Sequence, residues 1–163
     1  MASKTLKWAL CAGAVLLLFP TIAFLMPAPH LDGQCHATYT IEKQFDDTAT
    51  ATITSEIVVS FQPTGHAFVT IKGLMVQGKT VYRVWRDLSL SYHKTAGGYY
   101  EFKRLNMVNH PSDTISERLF NQYFLNFSDQ NEGQFAITEY PHYYMISSLF
   151  EPVLVCAKGI PGQ

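Results

Sequence analysis

The feature that most constrains the fold is a long stretch in which apolar and polar residues alternate. From Thr48 to Phe61, the odd positions are aliphatic, small or aromatic, and the even positions are mostly Thr, Glu and Ser. Side chains of a β-strand point to opposite faces in turn. This period of two therefore predicts a half-buried strand with one inner face and one solvent-facing side.

The same pattern recurs along the rest of the chain. The turn residues Gln62-Pro63-Thr64-Gly65 join the first strand to a second alternating segment at 66–76, which predicts an antiparallel hairpin. Further strands are predicted at the segments bounded by turn residues, which are 36–43, 79–92, 99–108, 133–140, 143–150 and 152–156. The sequence thus predicts about eight strands.

One segment has helical spacing instead. Between Asp113 and Phe127, large apolar side chains recur every three or four residues, and Thr114-x-x-Glu117 is a capping-box pattern. We expect a helix at about 114–125. A mainly β domain with one helix favours a closed or nearly closed antiparallel barrel of the lipocalin-like kind, because closure removes exposed strand edges. A β-sandwich is the alternative.

An uncharged apolar run precedes the β-rich region. Trp8 to Met26 comprises 19 residues, which span about 28 Å as a helix and match a bilayer core of about 30 Å. Lys4 and Lys7 precede the run and the next Lys or Arg is Lys43, so the positive-inside rule places residues 1–7 in the cytoplasm. The expected organisation is a transmembrane helix at 8–26, a linker at 27–34 and an exported domain at 35–163.

A cleaved signal peptide is the competing interpretation of this run. Cleavage would require small residues at positions −3 and −1 of the processing site. Thr21-Ile22-Ala23 would cut within the apolar run, and Met26-Pro27-Ala28 places a large residue at −3. These poor candidates favour a retained anchor.

Two cysteines lie near the two ends of the expected exported domain. Cys35 and Cys156 are expected to form a disulfide, because export compartments are where such bonds form and persist. Metal ligation is the rival use, but no CxxC pair occurs and no histidine lies within four residues of Cys156. We expect no metal site.

The composition argues against several classes of function. Lys and Arg total 12 against 13 Asp and Glu, so the chain lacks the basic excess typical of nucleic-acid binding. No HExxH, GxSxG, Walker A or GxGxxG motif is present. We therefore expect neither an enzyme nor a cofactor.

Arg86 has two interpretations. It is in register with Tyr82, Val84 and Leu88, so its side chain could point into a barrel and bind an anion. The alternative, which we favour, is that Arg86-Asp87 forms a bulge that reverses the facing of the strand. If the barrel holds a ligand such as a bile salt or fatty acid, Arg86 is the predicted anchor at the rim. The apolar wall of that predicted pocket is drawn from Ile53, Ile57, Val69, Tyr82, Val84 and Phe102.

The C-terminal half resembles a known family. The segments that carry the resemblance are Asn109-His110-Pro111-Ser112-Asp113-Thr114, Leu119-Phe120-Asn121-Gln122-Tyr123-Phe124, Ile146-Ser147-Ser148, Glu151-Pro152 and Val155-Cys156. Together with one apolar span and an early cysteine, they resemble the FidL-like family of enterobacterial inner-membrane proteins.

This resemblance implies a location and a role. The chain would sit in the bacterial inner membrane with its C-terminal domain in the periplasm, in the manner of the small ToxS-like companion proteins. Its domain would then bind and modulate a partner membrane protein, such as a ToxR-like transcriptional regulator. In some such pairs the two periplasmic domains form a lipocalin-like barrel that takes up bile salts.

Overall fold

Part of the chain lies outside the structural description. The computed structural model describes residues 31–46, 49–124, 132–148 and 152–159. The predicted transmembrane segment 8–26 and the short segment before it lie outside these ranges. Within the described ranges, no helix has the length and apolar character needed to cross a bilayer.

The described residues contain eight antiparallel strands that form a closed barrel, with each strand paired to the next and the last paired to the first. The strands are β1 (Gly33–Asp46), β2 (Ala49–Gln62), β3 (His66–Gln77), β4 (Thr80–Lys94), β5 (Tyr100–Asn109), β6 (Glu132–Glu139), β7 (Tyr143–Ser147) and β8 (Pro152–Lys158). The barrel prediction is confirmed. The β-sandwich alternative is wrong, because the sheet closes on itself instead of splitting into two layers.

The alternation in β2 sets which side chains face inward. Its odd positions from Ala51 to Phe61 are buried, as the period of two predicts. Ser55 faces Gly73 of β3, and a Cβ atom at Gly73 would collide with the Ser55 side chain and the Thr54 carbonyl. Glycine at this position therefore permits a close approach of the two strands.

The barrel closes weakly between its first and last strands. Only two residue pairs, Cys35 with Lys158 and His36 with Ala157, join β1 to β8 in the described part of the chain. The predicted disulfide is confirmed at this point: Cys35 and Cys156 are bonded, fully buried, and 5.4 Å apart at their Cα atoms. We call the region beyond these pairs, where β1 and β8 run without ladder pairing to each other, the seam.

One end of the barrel is closed by tyrosines. This end, the entry rim, is formed by the start of β1, the end of β8 and the β2–β3, β4–β5 and β6–β7 turns. The Tyr92 hydroxyl shares its one proton between the carbonyls of Leu31 and Gln62, at 2.9 and 2.8 Å, and the Tyr144 hydroxyl donates to the Asp32 carbonyl at 2.5 Å. Burial raises the pKa of Tyr92 to about 12.

These contacts move the predicted start of the domain. Leu31 is 3% exposed and belongs to the core, and β1 begins at Gly33. Residues 31–34 of the predicted linker at 27–34 therefore belong to the barrel or are held against it, because Leu31 lies in the core and Gly33 and Gln34 are part of β1. The hydrogen bonds from Tyr92 and Tyr144 hold Leu31 and Asp32 there.

The helix α1 (Glu117–Tyr123) is shorter than the predicted 114–125. Ser116, not Thr114, is the N-cap, and its side chain accepts a hydrogen bond from the Leu119 N–H. Thr114 has a different role: its backbone N–H donates to the Arg83 carbonyl, and its hydroxyl accepts from the Arg83 N–H. The segment before α1 thus pairs with the part of β4 that extends beyond β5.

Candidate functional site

A cavity of about 630 Å³ lies inside the barrel. This volume falls within the range of about 300–1,000 Å³ that is typical of small-molecule sites. Its aliphatic and aromatic wall includes Tyr39, Ile41, Ile57, Val59, Phe61, Val69, Ile71, Leu88, Leu90, Phe102, Phe135, Ile137, Ile146 and Leu154. Such a wall suits an apolar molecule.

The cavity extends to the seam and to the end of α1. Tyr39, Ile41 and Lys43 line it from the β1 side, and residues 152–154 line it from the β8 side. Residues 122–124 of the helix end complete this part of the wall. Because the two strands do not pair here, the seam is the natural route between the cavity and solvent.

Lys43 is the one charged side chain in the described wall of the cavity. It is exposed, and its Nζ atom lies 5.6 Å from the centre of the Tyr123 ring. A cation over an aromatic face is weakly attracted to the ring. This contact holds the ammonium group beside the seam, where an anionic group of a ligand would meet it.

A polar pair lies deeper, between β1 and β2. Ser55 is 1% exposed, and its hydroxyl makes no hydrogen bond of good geometry. It interacts more loosely with its cross-strand neighbour Tyr39, which lines the cavity. Burial raises the pKa of Tyr39, and the interaction with Ser55 partly offsets this effect. Tyr39 is therefore a neutral hydroxyl at ordinary pH.

The structure brings together only part of the predicted pocket. Ile57, Val69 and Phe102 line the cavity. Ile53 and Val84 do not: they are packed in the core, at most 2% exposed. Tyr82 borders a separate shallow depression beside the β3–β4 turn, together with Leu74, Thr80, Val81, Arg83 and Thr114.

The favoured interpretation of Arg86-Asp87 as a bulge is wrong. The β3–β4 register is regular throughout, and Arg86 points inward with 1% of its surface exposed. The irregularity between β4 and β5 falls instead between Ser89 and Leu90, where β5 carries an extra residue, Leu105. The strand keeps its facing through Arg86 because nothing interrupts the ladder there.

Arg86 is also not the anchor of a cavity ligand. It is absent from the cavity wall, and Asp113 already satisfies its guanidinium through Nε–Oδ2 and Nη2–Oδ1 distances of 3.1 and 3.2 Å. Nη2 also donates to the Ile115 carbonyl at 2.8 Å, and the guanidinium lies 4.2 Å from the centre of the Phe120 ring. Arg86 therefore holds the segment leading into α1 against the barrel.

The same segment has a second contact with β4. Asp113 accepts a hydrogen bond from the Trp85 N–H at 3.0 Å, and the His110 ring stacks on Trp85 with 3.6 Å between ring centres. Lys72 lies 4.4 Å from the centre of the Trp85 ring. Together with the Arg86–Asp113 ion pair, these contacts position α1, whose last turn forms part of the cavity wall.

Sequence reasoning missed the β1 and α1 side of the cavity. The strand predicted at 36–43 already contained the usable signal, since its period of two places Tyr39, Ile41 and Lys43 on the face of the buried Cys35. The contribution of 122–124 had no comparable signal. It depends on where the helix docks.

The comparisons with known proteins add no relative. No protein-family model matches the chain, and no curated protein matches its sequence. Within the described ranges, no cluster of three or more His, Cys, Asp or Glu side chains is arranged to hold a metal ion. The candidate site is therefore characterised by its own geometry, which is an apolar cavity with one lysine at the seam.

Proposed function

We propose that the barrel binds a small amphipathic anion, with the apolar body in the cavity and the anionic group at Lys43. The single observation that carries this proposal is the 630 Å³ apolar cavity with one charged residue in its described wall. A fatty acid or a bile salt has this distribution of charge. The protein would bind its ligand without transforming it.

The proposed setting is the outer face of a membrane. Segment 8–26 would anchor the chain in a bacterial inner membrane, and the barrel would lie in the periplasm. The buried disulfide is compatible with an exported domain, because such bonds persist in oxidising compartments.

Laurate and its uncharged analogue dodecanol test the proposal on the full chain. Calorimetric titration should give tighter binding of laurate than of dodecanol. Lys43→Ala should weaken laurate binding about two- to fivefold, the value of one solvent-exposed ion pair, and leave dodecanol unchanged. Lys79→Ala, at the exposed β3–β4 turn, is the matched control.

A second variant tests the cavity itself. Leu154→Trp places a larger side chain at the seam and should weaken both ligands, and deoxycholate serves as the bile-salt probe in the same titration. Absence of heat and of any thermal shift with all three ligands would contradict the proposal. If the Lys43→Ala variant binds laurate as tightly as the unmodified chain, Lys43 is not the group that binds the carboxylate.

The second candidate function is that of an accessory protein for a membrane-bound regulator. The observation that favours it is an apolar strip beside the seam: Val153 and Val155 of β8 are 55% and 58% exposed. Large exposed apolar side chains next to unpaired strands suit a protein partner. The partner implied by the resemblance is a ToxR-like regulator with its own periplasmic domain.

Photo-cross-linking tests this candidate. A photoreactive residue at Val155 should cross-link to a candidate regulator encoded beside this protein and co-expressed with it. The same residue at Val81, which is equally exposed on β4, is the control. Recovery of the monomer alone from both variants would count against the accessory role.

A further inference from the structure

The entry rim is the end of the barrel closest to the proposed anchor. Only residues 27–30 separate Met26, the end of the apolar run, from Leu31, which is fixed in the core. A fully extended chain covers about 3.5 Å per residue, so this connection reaches at most about 18 Å. With 8–26 in the bilayer, Leu31 lies within about 18 Å of the end of the apolar run, so the entry rim is the end of the barrel that can reach the lipid headgroups.

Histidines are concentrated at this end. Of the five in the described ranges, four lie on or within four residues of the entry rim, and the fifth, His110, follows β5 at the opposite end. The four are His36, His66, His93 and His142, and all are exposed. Histidine is the side chain whose charge ordinarily changes between about pH 5 and 8.

The other charges of the rim nearly cancel. Within the same distance of the rim, or paired with a residue there, lie the lysines Lys94, Lys103 and Lys158 and the carboxylates Asp32, Glu101, Glu132 and Glu139. Lys158 pairs with Glu139 at 2.6 Å, and Lys103 pairs with Glu132 at 3.0 Å. The histidines therefore decide the sign of the net charge: it is −1 when they are neutral and +3 when all four are protonated.

Each histidine has identified neighbours in the strand ladders or turns. His93 faces Glu101 across the β4–β5 ladder, and His36 pairs with Ala157 and Val58 on its two sides. The His66 Nδ1 atom lies 3.4 Å from the Thr64 hydroxyl. The main-chain carbonyl of His142 accepts a hydrogen bond from the Lys158 N–H, and the Lys158 ammonium is held by Glu139.

Tyrosine side chains also lie on the entry rim. Tyr99, Tyr140 and Tyr143 are half-buried in the turns of the rim, and the rings of Tyr140 and Tyr143 stack with 4.5 Å between their centres. Tyrosine is enriched at membrane–water interfaces, because its ring and hydroxyl suit the headgroup region. Aromatic and titratable basic groups thus share the end of the barrel that faces the bilayer.

We propose that the entry rim docks on anionic phospholipid headgroups of the membrane that anchors the chain, and that acidification strengthens this docking. The inference rests on the anchored topology of the proposed function, but not on the cavity ligand. Each positive charge close to an anionic membrane strengthens the attraction about fivefold. Docking would fix the orientation of the barrel and direct the opposite end away from the lipid.

The test uses the full chain in vesicles of 30% anionic phospholipid that contain headgroup-labelled quencher lipids. A fluorophore is attached at Thr64→Cys on the entry rim or at Lys79→Cys on the opposite end. Both variants also carry Cys11→Ser, because Cys11 is the one cysteine of the sequence outside the Cys35–Cys156 disulfide. Quenching should be at least about twofold stronger at position 64. It should increase between pH 7.5 and 5.5, and it should lose that increase in vesicles of neutral lipid.

A quadruple variant isolates the histidines. In a background of His30→Gln, which removes the histidine of the connection to the anchor, His36→Gln, His66→Gln, His93→Gln and His142→Gln together should abolish the pH-dependent increase, whereas His110→Gln in the same background, the matched control at the other end, should retain it. Equal quenching at both positions, or an increase that survives the quadruple variant, would overturn the proposal. Failure of the chain to float with the vesicles would remove the anchor and overturn it as well, whatever laurate titration shows.

Discussion

Removing the guanidinium of Arg86 is expected to destabilise the barrel strongly. Arg86 and Asp113 are buried together, with 1% and 4% of their side-chain surfaces exposed, and two hydrogen bonds join them. Arg86→Met leaves the Asp113 carboxylate buried without its counter-ion. The loss of one partner of a buried ion pair costs about 3–5 kcal/mol. A domain of this size has a total stability of about 5–15 kcal/mol, so the loss would be a large fraction of it.

The double variant Arg86→Met with Asp113→Asn separates this mechanism from a simple loss of packing. It removes both charges and retains a side-chain oxygen for the Trp85 N–H, so its stability should lie well above that of Arg86→Met alone. Arg83→Met, an exposed arginine on the same strand, is the control and should change the free energy of unfolding by less than about 0.5 kcal/mol.

Urea unfolding of the oxidised protein measures these differences, with laurate titration carried out on each variant that folds. A loss of less than about 1 kcal/mol in Arg86→Met, or additive effects in the double variant, would refute the ion-pair reasoning. In Arg86 variants that fold, laurate and dodecanol affinities should change by the same factor, because the guanidinium lies outside the cavity wall and acts on it only by positioning α1. A loss of laurate binding with dodecanol binding unchanged would restore Arg86 as an anchor.

Three further changes test the closure, the entry rim and the close strand approach. Cys156→Ser should lower the free energy of unfolding by about 2–4 kcal/mol, because it opens a link between residues 121 positions apart; alkylation of both Cys35 and Cys156 without reductant would contradict the bond. An unfolded tyrosine loses its proton near pH 10, whereas the pKa of Tyr92 in the folded protein is about 12. Between pH 10 and pH 12 the folded state therefore binds more protons than the unfolded state, and the free energy of unfolding should fall as the pH rises. Tyr92→Phe should make that fall in the urea midpoint shallower, and an unchanged slope would argue against the assignment. Gly73→Ala should lower the free energy of unfolding in urea by about 1–3 kcal/mol, because its Cβ would collide with Ser55. Adding Ser55→Gly should recover part of this stability. An unchanged free energy of unfolding would mean that the two strands are not so close.

The lining of the cavity shows what the alternation of residues in a strand can predict and what it cannot. Ile57, Val69 and Phe102 line the cavity, and alternation alone places them on the inner face. The same pattern also placed Ile53 and Val84 on that face, where the structure packs them in the core instead. Alternation reports inward or outward facing, but it contains no information on how much of the interior is filled.

Arg86 shows the other limit. Its register was visible in the sequence, but its partner Asp113 lies 27 positions away and reaches it only because the segment before α1 folds back along β4. The Thr114-x-x-Glu117 pattern was likewise visible in the sequence but does not cap the helix, because the Thr114 hydroxyl instead accepts a hydrogen bond from the Arg83 N–H. A tertiary hydrogen bond thus overrides a local capping pattern when both require the same side chain.

Alternation and cysteine content predicted about eight strands, the facing of most of them and the two bonded cysteines, because these features depend on residues near one another or on composition. Tertiary contacts set three further properties: the barrel closes through two described residue pairs at β1 and β8, the cavity extends to the seam beside Lys43, and Arg86 points inward and is paired with Asp113. Those properties arise from distances between residues remote along the chain. Packing sets such distances, and periodicity does not encode them.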